Sequence, residues 1–148
     1  MASKKIFIIE DDADIMYGLE SQFSAANYEL ALSNGQEEMS ELLDNLREFN
    51  PDCIILDLIL PKLDGFEIVK LIKADSELGD KQIFIFTDLS DEDSRSRSLE
   101  LGADYIFFKE EFDTFQFAEK VKRILANQEK IGSKLSENDE DDSGVVLD

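Results

Sequence analysis

Short apolar segments alternate five times with longer segments of helical periodicity, and this order limits the chain to few folds. The five apolar segments are Lys4–Ile9, Tyr28–Leu32, Cys53–Leu58, Ile83–Phe86 and Tyr105–Phe108. In the stretches between and after them, apolar residues recur at the spacing of one helix face. Strands that alternate with helices across short connections form a parallel sheet covered by helices on both faces. The sequence therefore predicts a single α/β domain of five βα units.

Capping residues mark the ends of several predicted helices. The first helix is predicted over Ala13–Ala26, with Asp12 as its N-cap. The fourth is predicted to open with the hydroxyl of Ser90 as N-cap and to stop at Gly102. The last is predicted from Phe112 to Ala126. Its expected inward face consists of Phe115, Ala118, Val121, Ile124 and Leu125.

The charge balance excludes several classes of partner. The chain has 35 acidic and 15 basic residues, which gives a net charge of −20. Nucleic acids and anionic membranes are bound through clustered Lys and Arg, so neither is expected as a direct partner. No apolar run approaches the ~20 residues of a membrane span. The apolar stretch near the N-terminus is too short for a signal peptide, so we expect a cytoplasmic protein.

Histidine and cysteine usage excludes further chemistry. The sequence has no histidine, which rules out His-containing catalytic triads and His-ligated zinc sites within it. Its one cysteine, Cys53, begins an apolar strand and is interpreted as a small buried hydrophobic residue.

The composition changes near the C-terminus. Residues 128–148 are mostly polar and include an acidic block, Glu137 to Asp142. Such a segment cannot bury enough apolar surface to offset the entropy lost on ordering. We therefore expect a folded domain over residues 1–127 and a disordered acidic tail over residues 128–148.

Polar residues stand where four of the predicted strands end. They are Glu10 and Asp11 after the first strand, Asp57 in the third, Thr87 after the fourth and Lys109 after the fifth. Ligands of open α/β sheets bind at the carboxyl edge of the strands, so these side chains are expected to meet. Three carboxylates together need a hard divalent cation, and Mg²⁺ is the expected ion. A carboxylate beside such an ion, a lysine and a hydroxyl is equipped to accept a phosphoryl group.

Each of these residues also has a structural interpretation. An acidic residue after a strand is often a helix N-cap, Thr87 alone fits the start of a turn, and Lys109 alone fits a solvated strand end. Asp57 favours the functional interpretation because it interrupts an apolar run. A charged carboxylate in apolar surroundings needs a partner, which a cation and Lys109 would supply.

At these positions the chain resembles the receiver domain of two-component response regulators, including the single-domain chemotaxis type. The matching motifs are Ile8–Asp12, Leu56–Pro61, Asp64–Gly65, Phe86–Thr87, Leu101–Asp104 and Lys109. The resemblance covers about residues 4 to 126. It implies a flavodoxin-like, doubly wound (βα)5 fold with strand order 2-1-3-4-5, and residues 1–127 as the receiver domain.

The resemblance also implies a role for each residue at the strand ends. Asp57 would accept a phosphoryl group from phosphohistidine on a sensor histidine kinase or a histidine phosphotransfer protein. Lys109 would pair with Asp57 and later with a phosphoryl oxygen, and Thr87 would donate a hydrogen bond to another. The implied ligands of Mg²⁺ are Glu10, Asp11, Asp57 and the backbone carbonyl of Ile59.

Three positions depart from the family pattern. Glu110 stands where the family has a proline, which predicts a looser loop. Ile106 stands where the family has a switch aromatic, with Tyr105 on the opposite strand face, which argues against an aromatic rotamer switch. Asp88 stands where the family has a small residue. A bulky acid there is expected to hinder an attacking water and to slow loss of the phosphoryl group.

The predicted function is that of a stand-alone phosphoacceptor, monomeric or weakly dimeric, which signals to a downstream protein or passes phosphate along a relay. No enzymatic activity beyond its own phosphotransfer and dephosphorylation is expected, and only the tail follows the last helix. The alternative is a pseudo-receiver that binds its partner independently of phosphate. A Mg²⁺-dependent phosphatase is disfavoured because Ile59 occupies the place of its second aspartate.

Overall fold

The computed structural model of the chain describes residues 4–138, with side chains described to residue 129. Its strands are β1 (Lys5–Ile9), β2 (Glu29–Ser33), β3 (Cys53–Leu56), β4 (Gln82–Thr87) and β5 (Tyr105–Phe108). Its helices are α1 (Ala13–Ala25), α2 (Met39–Phe49), α3 (Gly65–Ala74), α4 (Glu92–Leu101) and α5 (Thr114–Asn138). None of these helices is both long and apolar enough to cross a bilayer.

The strands form one parallel sheet in the order β2-β1-β3-β4-β5. This arrangement confirms the predicted fold class and strand order. The strand order reverses direction between β1 and β3, which places a crevice at the carboxyl ends of these two strands.

Alternate residues of the central strands belong to two separate hydrophobic cores. On one face of the sheet, Phe7 and Ile54 pack with residues of α2 and α3. On the other face, Ile8 and Cys53 pack with residues of α1 and α5. Because both faces are covered by helices, β1 and β3 are apolar at nearly every position. Cys53 is fully buried, as the sequence predicts for a structural cysteine.

Strand β3 ends two residues earlier than the predicted limit at Leu58. It stops at Leu56, so Asp57 lies just beyond the last strand residue. The Asp57 N–H still donates to the carbonyl of Ile9 at 3.1 Å, which continues the β1–β3 pairing by one bond. Asp57 is therefore held by the sheet while its side chain lies at the sheet edge.

The caps of α1 and α4 test the capping predictions. The Asp12 side chain accepts hydrogen bonds from the N–H groups of the first turn of α1, which confirms its predicted role. The prediction for Ser90 is wrong. Asp91 is the N-cap of α4, and its carboxylate accepts from the Ser94 N–H at 3.0 Å. A carboxylate interacts more favourably than a hydroxyl with the positive end of the helix dipole. Gly102 ends α4 with φ 118°, as predicted.

Helix α5 differs from its prediction in phase and length. It begins at Thr114, and Phe115 is 56% exposed rather than inward, whereas Phe117 is fully buried. Phe117 fits the buried stripe with Ala118 and Val121 at helical spacing. The helix also continues past Ala126 to Asn138. Residues 139–148 lie outside the described residues, so the disordered tail and the boundary at residue 127 stay predictions.

Helix α4 contributes little apolar surface to either core. Of its ten residues, all of which are described, Ser98 alone is buried, and its hydroxyl donates to the Ser94 carbonyl. Contacts at its two sides are made by arginines. The Arg97 guanidinium lies 4.1 Å from the centre of the Phe66 ring of α3, and that of Arg95 lies 6.0 Å from the ring of Phe108.

An ion pair joins the end of α2 to the end of α3. The Arg47 guanidinium donates to Asp75 Oδ1 from Nε at 3.0 Å and from NH2 at 2.8 Å. The other Asp75 oxygen accepts from the N–H groups of Glu77 and Leu78 and so caps the turn that follows α3. The hydrogen bond from Arg47 lowers the pKa of Asp75 below its ordinary value, against the opposing effect of desolvation.

We expect Asp75→Asn to lower the melting temperature at pH 7, because it removes the charge that Arg47 neutralises. A depressed carboxyl pKa contributes stability above the unfolded-state value near ~3.9, and this contribution is lost as the pH falls through the folded-state value. The difference between parent and variant should therefore shrink between pH 7 and pH 3. Thermal unfolding followed by circular dichroism measures it, with the exposed Asp80→Asn as control. A difference that does not change with pH would contradict the expectation.

Candidate functional site

A cleft of about 320 Å³ opens at the carboxyl edge of the sheet. It is lined by four residues after β1 and β3 that carry carboxylates, by Asp88 after β4 and by Lys109 after β5. The complete lining is Glu10, Asp11, Asp12, Asp57, Ile59, Leu60, Pro61, Asp88 and Lys109. The structure thus brings together the predicted residues Glu10, Asp11, Asp57, Ile59 and Lys109.

Asp57 is almost completely buried, with 5% of its surface exposed, yet both carboxylate oxygens have partners. Oδ1 accepts from the Ile59 N–H at 3.1 Å, and Oδ2 accepts from Lys109 Nζ at 2.7 Å. These bonds fix the rotamer of the side chain and point it into the cleft. The partner that an apolar location demands of a carboxylate is therefore present.

Lys109 links the two buried carboxylates of the cleft. Its Nζ lies 2.7 Å from Asp57 Oδ2 and 3.0 Å from Glu10 Oε1. Burial lowers the pKa of Lys109, but the hydrogen bond to Asp57 and the charges of Glu10 and Asp57 outweigh it and raise the pKa. The amine is therefore held in its charged form between the two acids.

Glu10 is the other buried acid of the cleft, with 3% of its surface exposed. Burial raises the pKa of Glu10 to about 7, and the nearby charge of Asp57 contributes to the rise. The Asp12 N–H, which donates to Oε2 at 3.0 Å, and the Lys109 amine act in the opposite direction without cancelling it. Ionised Glu10 is therefore unfavourable here, chiefly because it is buried and in part because Asp57 is near.

The site fits the requirements of a hard divalent cation. Glu10, Asp11 and Asp57 each offer a carboxylate oxygen, and these oxygens all lie within 4.8 Å of one another. Asp11 is exposed whereas the other two are buried, so the set faces both the protein and the solvent. Carboxylate oxygens near solvent are the ligands that Mg²⁺ prefers, since it usually keeps several waters.

The loop after Asp57 is held close to α3 by a glycine. A Cβ atom on Gly65 would lie 2.4 Å from the Cα of Leu58, a distance that no side chain tolerates. The Gly65 N–H donates to the Leu58 carbonyl at 3.3 Å, and Asp64 caps α3 from the same turn. The close approach sets the path of Ile59, whose side chain is 49% exposed. Its carbonyl as a metal ligand stays a prediction.

Thr87 lies at the same edge of the sheet but does not line the cleft. It is fully buried, and its Oγ1 accepts from the Leu89 N–H at 3.3 Å. Asp88, the next residue, lines the cleft instead. Leu60 and Pro61 also line the cleft, a role that the motif Leu56–Pro61 does not by itself predict. Their place in the chain shortly after Asp57 is the signal from which it could be predicted.

Ile106, at the position of the family's switch aromatic, and its neighbour Tyr105 lie on opposite faces of β5, as predicted. Tyr105 stacks on Phe84, with ring centres 4.9 Å apart, in the core beneath α1 and α5. Ile106 packs in the core on the other face of the sheet. The ring of Tyr105 therefore lies on the sheet face opposite to the core that Ile106 and Leu101 join.

Residues 6–122 of the chain match the sequence model of the response regulator receiver domain family. The probable transcriptional regulator ycf27 of Porphyridium aerugineum is 31% identical over 147 residues, which are 99% of this chain and 57% of that protein. The chain spans about half the length of the curated relatives that it matches.

Solved response regulators share the fold. The phosphorylated cyanobacterial phytochrome response regulator RcpA is 28% identical, with a TM-score of 0.70 over 83% of this chain and 91% of that one. The Mn²⁺-bound response regulator Rcp1 is 24% identical, with a TM-score of 0.69 over 80% of this chain and 91% of that one, and this likeness concerns the fold.

We expect Glu10→Gln to stabilise the metal-free protein at pH 8. Folding raises the pKa of Glu10 from 4.5 to about 7, so the folded state binds more protons than the unfolded state between these values. Ionised Glu10 therefore reduces stability as the pH rises towards 7, by an amount on the order of 1–3 kcal/mol. Glutamine removes this loss.

Urea unfolding in the presence of a chelator measures the effect at pH 8 and at pH 5. The gain should be present at pH 8 and largely absent at pH 5, where the parent carboxyl is protonated. The exposed Asp88→Asn, from the same cleft, serves as control. A variant that is equally or less stable than the parent at pH 8 would contradict the electrostatic argument.

Proposed function

Because this chain belongs to the response regulator receiver family, we propose that it accepts a phosphoryl group on Asp57 in a Mg²⁺-dependent reaction. The observation that carries the proposal is the environment of the Asp57 carboxylate. It is buried, it is bonded to the Lys109 amine at 2.7 Å, and it lies within a set of three carboxylates suited to a divalent ion. A carboxylate so placed is a nucleophile beside an ammonium group and beside the place where a divalent cation would bind.

The proposed donor is phosphohistidine on a sensor histidine kinase or a histidine phosphotransfer protein, since this sequence has no histidine. An oxygen of Asp57 attacks the phosphorus atom, and the bond between phosphorus and the imidazole nitrogen breaks. The electron pair of that bond stays on the nitrogen, which takes up a proton. The Lys109 amine, already in contact with Asp57, stabilises the charge on the transferring group.

The proposed cofactor is Mg²⁺, held by Glu10, Asp11, Asp57 and the carbonyl of Ile59. When bound, the ion supplies positive charge that offsets the charge on the phosphoryl oxygens. The mutual distances of the three carboxylates and the raised pKa of Glu10 support this assignment. The neighbour Rcp1, which shares the fold, is described as Mn²⁺-bound, which is consistent with divalent-ion binding by a protein of this fold.

Thr87 is proposed to move toward the phosphoryl group, because its side chain does not line the cleft beforehand. Its hydroxyl oxygen accepts from the Leu89 N–H, and its own proton is available to a phosphoryl oxygen. A move toward Asp57 draws the loop between β4 and α4 with it. The phosphoryl group thus favours one of two arrangements of this loop by the contacts it makes in each.

The proposed output is contact with a downstream protein or transfer of the phosphoryl group along a relay. The relatives named as transcriptional regulators are about twice as long as this chain, so their output is not carried over to it. A phosphate-independent binding module is the second candidate. It is favoured by one observation, the burial of Thr87 outside the cleft.

We expect the purified protein to gain the mass of one phosphoryl group when it is incubated with acetyl phosphate and Mg²⁺. The gain should be lost in Asp57→Ala and in the presence of a chelator, because nucleophile and cation are both required. Asp80→Ala, an exposed aspartate before β4 and thus at the opposite sheet edge, should be modified like the parent. Intact-mass spectrometry decides the matter, and an unmodified parent would favour the phosphate-independent module.

The phosphorylated protein is expected to lose its phosphoryl group slowly, because Asp88 lines the cleft and its charge opposes both the phosphoryl group and an attacking hydroxide-like water. Asp88→Ala should lose the group several times faster than the parent. The decay is followed in Mg²⁺ after removal of acetyl phosphate. Asp93→Ala, an exposed acid in the first turn of α4, is the matched control. Equal decay rates for parent and Asp88→Ala would remove the argument.

A further inference from the structure

Hydrogen bonds fix the backbone on both sides of Lys109, whose amine reaches Asp57. On one side, the Lys109 N–H donates to the Thr87 carbonyl at 2.8 Å, which ties it to β4. On the other side, the Phe108 carbonyl accepts from the N–H groups of Glu111 and Phe112, at 2.9 and 3.2 Å. These bonds close a tight turn around Lys109 in a segment that contains no proline.

The ring of Phe112 anchors this turn to the core. It meets the ring of Phe107 edge-on, with centres 5.1 Å apart and planes at 89°. Phe107 in turn meets Phe117 at 5.3 Å, and Phe117 stacks on Phe86 at 4.0 Å. The chain of rings ends beneath the active lysine, since Lys109 Nζ lies 5.8 Å from the centre of the Phe86 ring.

The residue after Phe112 fixes the far end of the turn. The Asp113 carboxylate accepts from the Gln116 N–H at 2.8 Å, while the Gln116 side chain accepts from the Asp113 N–H at 2.9 Å. This reciprocal pair is a capping box, which starts α5 at a defined residue. Phe112 therefore lies between the turn 108–112, which its N–H closes, and α5, whose start is fixed by the capping box.

We propose that Phe112 is a positioning residue, which holds the Lys109 amine against Asp57 and Glu10 through the turn 108–112. The two ion-pair distances of 2.7 and 3.0 Å depend on where this turn places the lysine backbone. The lysine side chain is long and flexible, so a loose turn spreads its amine over many positions. An effect of Phe112 on the rate of phosphotransfer rests on the proposed function. Its effect on the position of the Lys109 amine does not.

A purely structural role for Phe112 makes a different prediction. If the ring only fills space, its removal lowers the melting temperature but leaves the amine bonded to the two carboxylates. Phe115 offers a matched control because it is a second phenylalanine only three residues away, is 56% exposed and has no ring contact with this chain of aromatics. Phe112→Tyr keeps the ring and should behave like the parent.

The first experiment observes the amine directly in the metal-free protein. The ¹⁵N signal of the Lys109 ammonium group, identified by its loss in Lys109→Met, should be protected from rapid exchange in the parent. We expect this signal to broaden or disappear in Phe112→Ala and to persist in Phe115→Ala and Phe112→Tyr. Persistence in Phe112→Ala would overturn the proposal. If Phe112→Ala does not fold, Phe112→Leu keeps apolar volume without a ring and is expected to show partial loss of protection.

The second experiment measures phosphorylation by acetyl phosphate at saturating Mg²⁺. Phe112→Ala should react about tenfold more slowly, as expected for a displaced catalytic group, and saturating Mg²⁺ keeps any change in metal affinity out of the measured rate. In a Lys109→Met background, Phe112→Ala should cause no further loss of rate. A loss of equal size in both backgrounds would overturn the proposal. If the parent itself is never phosphorylated, the proposed function fails, and the ammonium signal still decides the role of Phe112.

Discussion

Repulsion among carboxylates at one edge of a parallel sheet is the constraint on which the rest of this site depends. Glu10 and Asp57 follow the adjacent strands β1 and β3, where the strand order reverses, and burial makes each charge costly there. A single ammonium group, that of Lys109, lies between them at 2.7 and 3.0 Å. The sheet therefore holds a site that is only partly neutralised, in which burial, together with the charge of Asp57, raises the pKa of Glu10. An excess of carboxylate charge of this kind favours the binding of a divalent cation.

The two-core architecture makes this arrangement possible, because it holds the strands rigid while their ends stay open. Residues of β1 and β3 alternate between a core beneath α2 and α3 and a core beneath α1 and α5. Close packing on both faces leaves the strands little freedom to separate under the repulsion at their ends. The β4–β5 side adds a stack of phenylalanine rings that reaches the base of the lysine loop. The rigid sheet thus fixes the distances between Lys109 and the carboxylates of Glu10 and Asp57.

The sequence predicted the sheet and most of the site because both rest on short-range patterns. An apolar run of strand length that ends in an acid or a lysine predicts both the strand and the residue at its carboxyl end. Asp57 and Lys109 are predicted in this way. Predictions that depend on one-residue choices failed. Ser90 and Asp91 are both favourable N-cap residues, and which of them caps α4 depends on the residue at which the helix begins. The capping box of Asp113 sets the phase of α5, and this phase buries Phe117 in place of Phe115. The burial of Thr87 behind the cleft depends on tertiary packing, which no local pattern encodes.

Helix α4 has a consequence for how proteins of this kind diversify. With Ser98 as the one buried residue among its ten, α4 adds little to the hydrophobic stabilisation of the fold. Exposed positions away from packing, caps and ion pairs usually tolerate substitution within ~0.5 kcal/mol. The outward residues of α4 are therefore free to drift between lineages without loss of foldability. Such substitutions leave the packing beneath the neighbouring sheet edge intact, since α4 adds so little to the two cores.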